Sequence, residues 1–196
     1  LEVAAHLLQV GNIGSRPDQH RNILALTHQA THQMAADEAA GAGAVVDDDR
    51  LPERLAGLIY LDALVPEDGR SALDFQVPER RQSMEETAAA YNGWQLPPVP
   101  AEFYGVSDPA QAAWVDGHCT PQPFATFQQA SQLTGAAERV PCKAYIRCTQ
   151  TPLGYMQQFV ERAERAPDWQ LLYIDTGHDC MVTEPERLAQ MLIGLV

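Results

Sequence analysis

The strongest constraint on the fold is the alternation of strand-like and helix-like segments over residues 141–196. Residues 142–148 and 169–174 are short, mainly apolar runs with the length and composition of β-strands. Between them, residues 155–165 carry Tyr155, Phe159 and Ala163 at four-residue spacing, which predicts an amphipathic helix. Strand and helix in regular succession favour βαβ units, and therefore an α/β fold with a parallel sheet.

A further helix is predicted at the end of the chain. Thr183 and Glu186 have the spacing of a capping box, in which each side chain bonds a backbone amide of the other residue. The apolar residues that follow form one helical stripe: Leu188, Met191, Leu192 and Leu195.

An earlier strand is predicted at residues 57–61, where the apolar run is almost uninterrupted. Such runs are typical of strands that are covered on both faces, as in a parallel sheet. Asp62 ends this strand, and the loop at residues 175–179 follows the strand at 169–174. Functional groups of open α/β sheets gather beyond the carboxyl ends of the strands, so both segments are candidate site positions.

His178 is the candidate catalytic residue of that loop. It stands between a predicted strand and a predicted helix, and Gly177 before it allows the loop to turn tightly. An imidazole with its ordinary pKa near 6.5 can carry a proton at neutral pH. The same local pattern is also compatible with a surface histidine that has no role.

Three segments together resemble the esterase and hydroxynitrile-lyase-like branch of the α/β-hydrolase superfamily. Residues 58–69 (LIYLDALVPEDG) resemble the strand and turn after its nucleophile helix, and residues 176–185 (TGHDCMVTEP) resemble its histidine loop. Residues 114–124 are similar to its cap. The likeness covers residues 51–196 and implies a parallel sheet with a helical cap insertion, with His178 as the general base of a catalytic triad.

The domain organisation that this resemblance implies is a single α/β-hydrolase-like domain over residues 1–196. Residues 66–140 form the cap-like insertion, and residues 1–50 are an atypical N-terminal segment. The expected fold is therefore an α/β-hydrolase type that is incomplete at its N-terminal side.

Asp62 is the candidate acid of the triad. The family often places the acid in the loop after the strand at 142–148, but Thr149-Gln150-Thr151-Pro152 holds no carboxylate. Some members use an acid at the end of the strand that follows the nucleophile, and Asp62 matches that place. Its carboxylate would then accept the imidazole N–H and stabilise the imidazolium. The alternative is a strand-end residue that bonds loop amides.

The nucleophile is where this sequence departs from the family. The G-x-S-x-G motif of the nucleophile turn does not occur in the chain, and residues 1–50 lack the His-Gly of the oxyanion loop. Ser71 and Ser107 stand in half-matching motifs after the predicted strand, and Ser15 is interpreted as a turn residue. A truncated or frame-disrupted product, or a degenerate paralogue that is a pseudoenzyme, would have this pattern.

Charge and cysteine usage limit the expected partners. The net charge of −13 disfavours nucleic acid and anionic membrane surfaces. None of the four cysteines forms a C-x-x-C pair, so no zinc or redox motif is predicted. Because residues 1–10 do not resemble a signal peptide, the thiols are expected to be reduced and the protein cytoplasmic. We expect no cofactor.

Metal binding is an alternative interpretation of the N-terminal segment. His20, His28 and His32 would share one face of a helix, with Asp37 or Glu38 nearby. Histidines on a polar, weakly patterned segment are usually solvated, and Gln29 occupies the place of the glutamate in an H-E-x-x-H motif. We therefore expect no metal.

The predicted ancestral function is hydrolysis of small carboxylic esters, and the missing serine motif leaves it open whether this chain is still active. The alternative is a non-catalytic protein that binds a small apolar ligand on a hydrolase scaffold. In either case the predicted substrate-binding residues are aromatic residues of the cap, which could instead form the cap's own core: Trp94, Trp114 and Phe124. The oligomeric state is left open.

Overall fold

A computed structural model describes the backbone of residues 6–11 and the whole of residues 55–195. Ser15 and the three histidines of the metal-binding alternative lie outside the described residues. The interpretations given for them stay predictions.

The core is a four-stranded sheet in the order β1-β2-β5-β6. β2, β5 and β6 run parallel, which confirms the parallel sheet predicted for these three segments. β1 pairs with β2 in the antiparallel sense, so the sheet is not parallel throughout. The strands, with the small hairpin β3–β4 of the cap, are β1 His6–Gly11, β2 Leu55–Leu61, β3 Gln95–Leu96, β4 Gln122–Pro123, β5 Lys143–Cys148 and β6 Trp169–Ile174.

Six α-helices and four 3-10 helices belong to the described part of the chain, and none of the helices there is long and apolar enough to span a membrane. The α-helices are α1 Pro78–Tyr91, α2 Pro109–His118, α3 Ala125–Gln128, α4 Gln157–Arg165, α5 Cys180–Thr183 and α6 Pro185–Ile193. The 3-10 helices are Ala72–Phe75, Ala101–Tyr104, Ala136–Arg139 and Gly154–Met156.

Helices cover the sheet on both faces, as the apolar run in β2 predicts. Successive side chains of a strand point to opposite faces. Leu58 and Tyr60 therefore belong to one buried cluster, which includes Phe159 and Val160 of α4. Ile59 and Leu61 belong to another cluster, with two residues of the predicted C-terminal stripe, Leu188 and Leu192 of α6.

The capping box predicted at Thr183 is wrong. Thr183 is the last residue of the short helix α5, and its hydroxyl lies 2.8 Å from the hydroxyl of Thr176. The next helix begins at Pro185, with Glu184 at the N-cap position. Proline favours the first helical position because its φ is fixed and it has no N–H to leave unsatisfied, and this sets the helix start two residues beyond Thr183.

The segment between β2 and β5 forms a mainly helical cap. It includes α1, α2, α3 and the hairpin β3–β4, and it has an apolar cluster of its own. The buried residues of this cluster are Leu73, Met84, Ala88, Leu96, Phe124 and Phe127.

Two glycines form a close backbone contact between the cap and the histidine loop. Gly105 has φ +92°, a left-handed conformation that glycine adopts without strain. A Cβ atom on Gly177 would lie 2.3 Å from the carbonyl oxygen of Tyr104, and a Cβ atom on Gly105 would lie 2.7 Å from the Cα of Gly177. The two backbones can approach this closely only because both residues lack a side chain.

We expect Gly177→Ala to lower the free energy of unfolding by about 2–3 kcal/mol, because the methyl group would push the cap backbone away from the histidine loop. Gly117→Ala is the matched control. Its position in α2 is exposed, with no atom within 4 Å of an added Cβ, so alanine should be neutral or stabilising by up to about 1 kcal/mol. Urea denaturation followed by circular dichroism measures both. A Gly177→Ala variant as stable as the wild type would contradict the close packing.

Candidate active site

The sheet register brings the three strand ends of the site to one edge. Leu61 of β2 pairs with Ile146 of β5, and Cys148 of β5 pairs with Ile174 of β6. The N–H of Asp62 then donates to the carbonyl of Ile146 at 2.7 Å. The residues just after β2, β5 and β6 therefore meet at the carboxyl edge of the sheet, where open α/β sheets carry their sites.

The Asp62 carboxylate is fully buried and receives three donors. His178 Nδ1 lies 2.8 Å from Oδ2, while the Arg147 guanidinium and the backbone N–H of Cys148, at 3.2 Å, both donate to Oδ1. A buried carboxylate costs several kcal/mol unless it is paired and hydrogen-bonded, and here both conditions are met. Asp62 also has φ +44°, a left-handed conformation that is unusual for a residue with a side chain.

His178 is held in one orientation by this carboxylate. Its side chain is only 4% exposed, and the Tyr104 ring of the cap packs against it with 5.3 Å between ring centroids. When Nδ1 of a neutral imidazole donates to a carboxylate, Nε2 is the basic nitrogen. The arrangement has the geometry of the histidine–acid half of a catalytic triad.

The loop between β6 and α5 is tied to the loop after β5. Thr149 N–H donates to the carbonyl of Ile174, and Gln150 N–H donates to that of Thr176, both at 3.0 Å. The exposed carboxylate of Asp175 accepts hydrogen bonds from the side chains of the same two residues. These bonds hold the backbone that carries His178.

Asp179 is a half-buried acid next to His178. Burial raises the pKa of its carboxyl above the ordinary value, and the nearby His178 partly opposes that shift. Its side chain makes no N-cap hydrogen bond to α5. Asp179 is thus a second acid at the site, but Asp62 is the acid on His178 Nδ1.

The cysteines of the site are not suited to nucleophilic chemistry. Cys148 and Cys180 are both buried, and all four cysteines are free. A hydrogen bond with the Cys180 thiol and burial together raise the pKa of the Cys148 thiol. Burial also raises the pKa of Cys119. Because the thiolate is the reactive form, these raised pKa values disfavour Cys148 and Cys119 as nucleophiles.

The two half-matching serine motifs do not have the structure of a nucleophile turn. The Ser71 hydroxyl donates to Asp74 Oδ2 at 2.8 Å, in the capping box of a 3-10 helix. Ser107 is an exposed residue between the Ala101–Tyr104 helix and α2. A nucleophile serine lies on the turn from a strand directly into a helix, and neither Ser71 nor Ser107 directly follows a strand.

The three aromatic residues predicted to bind substrate differ in their exposure to solvent. Phe124 is buried in the cap's own apolar cluster. Trp94 is 58% exposed, although its carbonyl accepts a hydrogen bond from the N–H of Phe124, and Trp114 is 43% exposed and packs on His118. The position of Phe124 favours the alternative of a cap core, while binding by the two tryptophans stays a prediction.

Arg147 is the functional candidate that sequence reasoning missed. It is the only charged residue in the second half of β5, next to the strand end, and its side chain is 13% exposed. A cation in such a strand requires a nearby anion, and Asp62 ends the neighbouring strand. The signal was therefore present in the sequence, but it depends on knowing that β2 and β5 are neighbours.

A metal centre has no candidate in the part of the chain that the structure describes. No group of three or more His, Cys, Asp or Glu side chains there could hold an ion.

The architecture of this chain is similar to that of solved α/β-hydrolases. An extracellular α/β-hydrolase from a Paenibacillus species, described as sharing structural and functional homology with tobacco salicylic acid binding protein 2, matches with a TM-score of 0.64 and 18% identity, covering 95% of this chain and 84% of that one. A pyrethroid hydrolase from Sphingobium faniae JZ-2 matches with a TM-score of 0.51 and 20% identity, covering 74% of this chain and 62% of that one. The fold is therefore that of the α/β-hydrolases.

Sequence comparison points to the same class. The chain is 29% identical over 157 residues to a carbendazim hydrolyzing esterase from Nocardioides sp. (strain SG-4G), covering 75% of this chain. It spans only 64% of the length of that relative. No protein-family model matches the chain. The chain therefore has the α/β-hydrolase fold and is similar in sequence to an esterase, as the resemblance of the β2, cap and histidine-loop segments predicts.

We expect Asp62→Asn to destabilise the fold by about 3 kcal/mol, because it leaves the largely buried Arg147 guanidinium without a counter-ion. Glu85→Gln is the control, since that carboxylate is exposed on α1 and should contribute little. Chemical denaturation at pH 7 compares the two. Equal stability of both variants would show that the Asp62–Arg147 pair does not support the fold.

The raised pKa of Asp179 predicts that this residue lowers the free energy of unfolding by an amount that depends on pH. Above its ordinary pKa the unfolded chain carries an ionised Asp179, while the folded chain still holds the proton. Stability is therefore lost as pH rises through this window. We expect the stability of Asp179→Asn relative to wild type to increase between pH 4 and pH 7 in urea titrations. A difference that does not depend on pH would contradict the shift.

Proposed function

We propose that this protein catalyses hydrolysis of small carboxylic esters, with His178 as general base and Asp62 as the acid that orients it. The observation that carries the proposal is the buried 2.8 Å contact between His178 Nδ1 and Asp62 Oδ2 at the carboxyl edge of a parallel sheet. The esterase with 29% identity supports the same reaction class.

In this mechanism His178 Nε2 takes the proton of an attacking serine hydroxyl. The imidazolium that forms is stabilised by the Asp62 carboxylate, and the proton is then given to the leaving alkoxide. The acyl-enzyme is hydrolysed by a water that the same imidazole deprotonates. Because the G-x-S-x-G motif does not occur in the sequence, the experiment has to identify the serine as well as the reaction.

We expect His178→Ala to lower kcat/KM for p-nitrophenyl acetate by about 1000-fold or more. His118→Ala is the matched control, because His118 is an exposed histidine on α2 and should leave the rate within about twofold of wild type. Initial rates at pH 8 measure both. Equal rates for wild type and His178→Ala would overturn the assigned role of His178.

A fluorophosphonate probe identifies the nucleophile. The probe phosphonylates an activated serine, and mass spectrometry of the digested protein locates the labelled residue. Labelling of one serine, slowed in His178→Ala, is the expected result. No labelling of the wild-type protein would contradict catalysis by a serine hydroxyl.

The alternative function is a non-catalytic protein that binds a small apolar ligand or ester. The missing G-x-S-x-G motif favours this alternative. Saturable binding of a p-nitrophenyl ester without turnover and without fluorophosphonate labelling would support it over the esterase.

A cytoplasmic location is a further part of the proposal. Four free cysteines, two of them buried in the core, suit a reducing compartment. Cell fractionation followed by immunoblotting tests the location, and recovery outside the cytoplasm would reject it.

A further inference from the structure

We propose that Arg147 is a positioning residue for the Asp62–His178 pair, fixing the carboxylate and lowering the affinity of the imidazole for a proton. The inference builds on the proposed role of His178 as a base, and it concerns a residue that acts through Asp62.

The two oxygens of the Asp62 carboxylate accept hydrogen bonds from different donors, and this supports the role of Arg147. Oδ1 accepts from the Arg147 guanidinium and from the N–H of Cys148, whereas Oδ2 accepts from His178 Nδ1. Two donors from β5 thus fix the plane of the carboxylate and leave one oxygen directed at the imidazole. Without Arg147, only the 3.2 Å bond to the Cys148 N–H would hold Oδ1.

The charges around His178 determine the sign of the electrostatic effect. Asp62 faces the ring from the end of β2, with Arg147 behind that carboxylate on β5. Tyr104 contacts the ring from the cap, and Asp179 adjoins it on the same loop. A guanidinium does not lose its proton in a protein, so Arg147 always opposes a second cation at the ring. Removing it should favour the imidazolium.

Proton NMR tests this without any need for turnover. The His178 ring is followed through its Cε1 proton across a pH titration and through its Nδ1 proton in the downfield region, with both signals assigned by their loss in His178→Gln. We expect Arg147→Gln to raise the titration midpoint of the ring by about one pH unit. We also expect it to broaden or remove the Nδ1 signal, since the carboxylate is no longer fixed.

Two further variants are compared in the same titration: Arg147→Lys, which keeps the positive charge, and Arg165→Gln, which is the control. Lysine keeps the charge but replaces the planar fork with a single ammonium, so its midpoint should move in the same direction by about 0.4 units, beyond the margin of the Arg165→Gln control. Arg165 is an exposed arginine paired with Glu161, and its change to Gln should leave the midpoint within about 0.2 units. If Arg147→Gln does not fold, the folded Arg147→Lys protein decides the question by the same two signals.

A folded Arg147 variant that keeps the wild-type midpoint within 0.2 units and an unchanged Nδ1 signal would overturn the inference. Arg147 would then only neutralise a buried charge, and its loss would appear in stability alone. The outcome is distinct from failure of the esterase proposal. If the wild-type protein has no esterase activity but the variants show the expected NMR shifts, the proposed function is rejected and the role of Arg147 stands. If the wild-type protein is an active esterase but the NMR signals of the variants are unchanged, the proposed function stands and the role of Arg147 is rejected.

Discussion

The buried carboxylate of Asp62 is the constraint on which the site depends. It lies at the end of β2 with no exposure to solvent. A buried carboxylate is stable only when hydrogen-bond donors surround it, and three groups donate to Asp62. The guanidinium of Arg147 and an amide of β5 hold one oxygen, and the imidazole of His178 holds the other. One charge thus joins two parallel strands and the loop after a third strand.

The sheet could be predicted from the sequence because its signals are local. β6 begins and ends at the predicted residues, and β2 and β5 differ from the predictions by one or two residues. The apolar spacing around Phe159 and the stripe at Leu188 and Leu192 likewise mark the buried faces of α4 and α6. The start of α6 was wrong because Pro185 outweighed the cap chemistry of Thr183, and both are local signals. The antiparallel sense of β1 has no counterpart in the predicted topology.

The candidate site was partly predictable for a different reason. Residues that follow parallel strands meet at one edge, so the sequence could bring Asp62 and His178 together before their distance was known. Arg147 was missed because its role depends on which strand lies beside β2. The aromatic residues of the cap were harder still, since only tertiary packing determines that Phe124 is buried while Trp94 and Trp114 are exposed.

The glycine contact between the cap and the histidine loop has a consequence for motion. Gly105 and Gly177 meet backbone to backbone, and Tyr104, beside Gly105, lies against the His178 ring. A displacement of this part of the cap therefore cannot leave the imidazole undisturbed. The position of the cap and the alignment of the imidazole are thus coupled through one backbone contact and one ring contact.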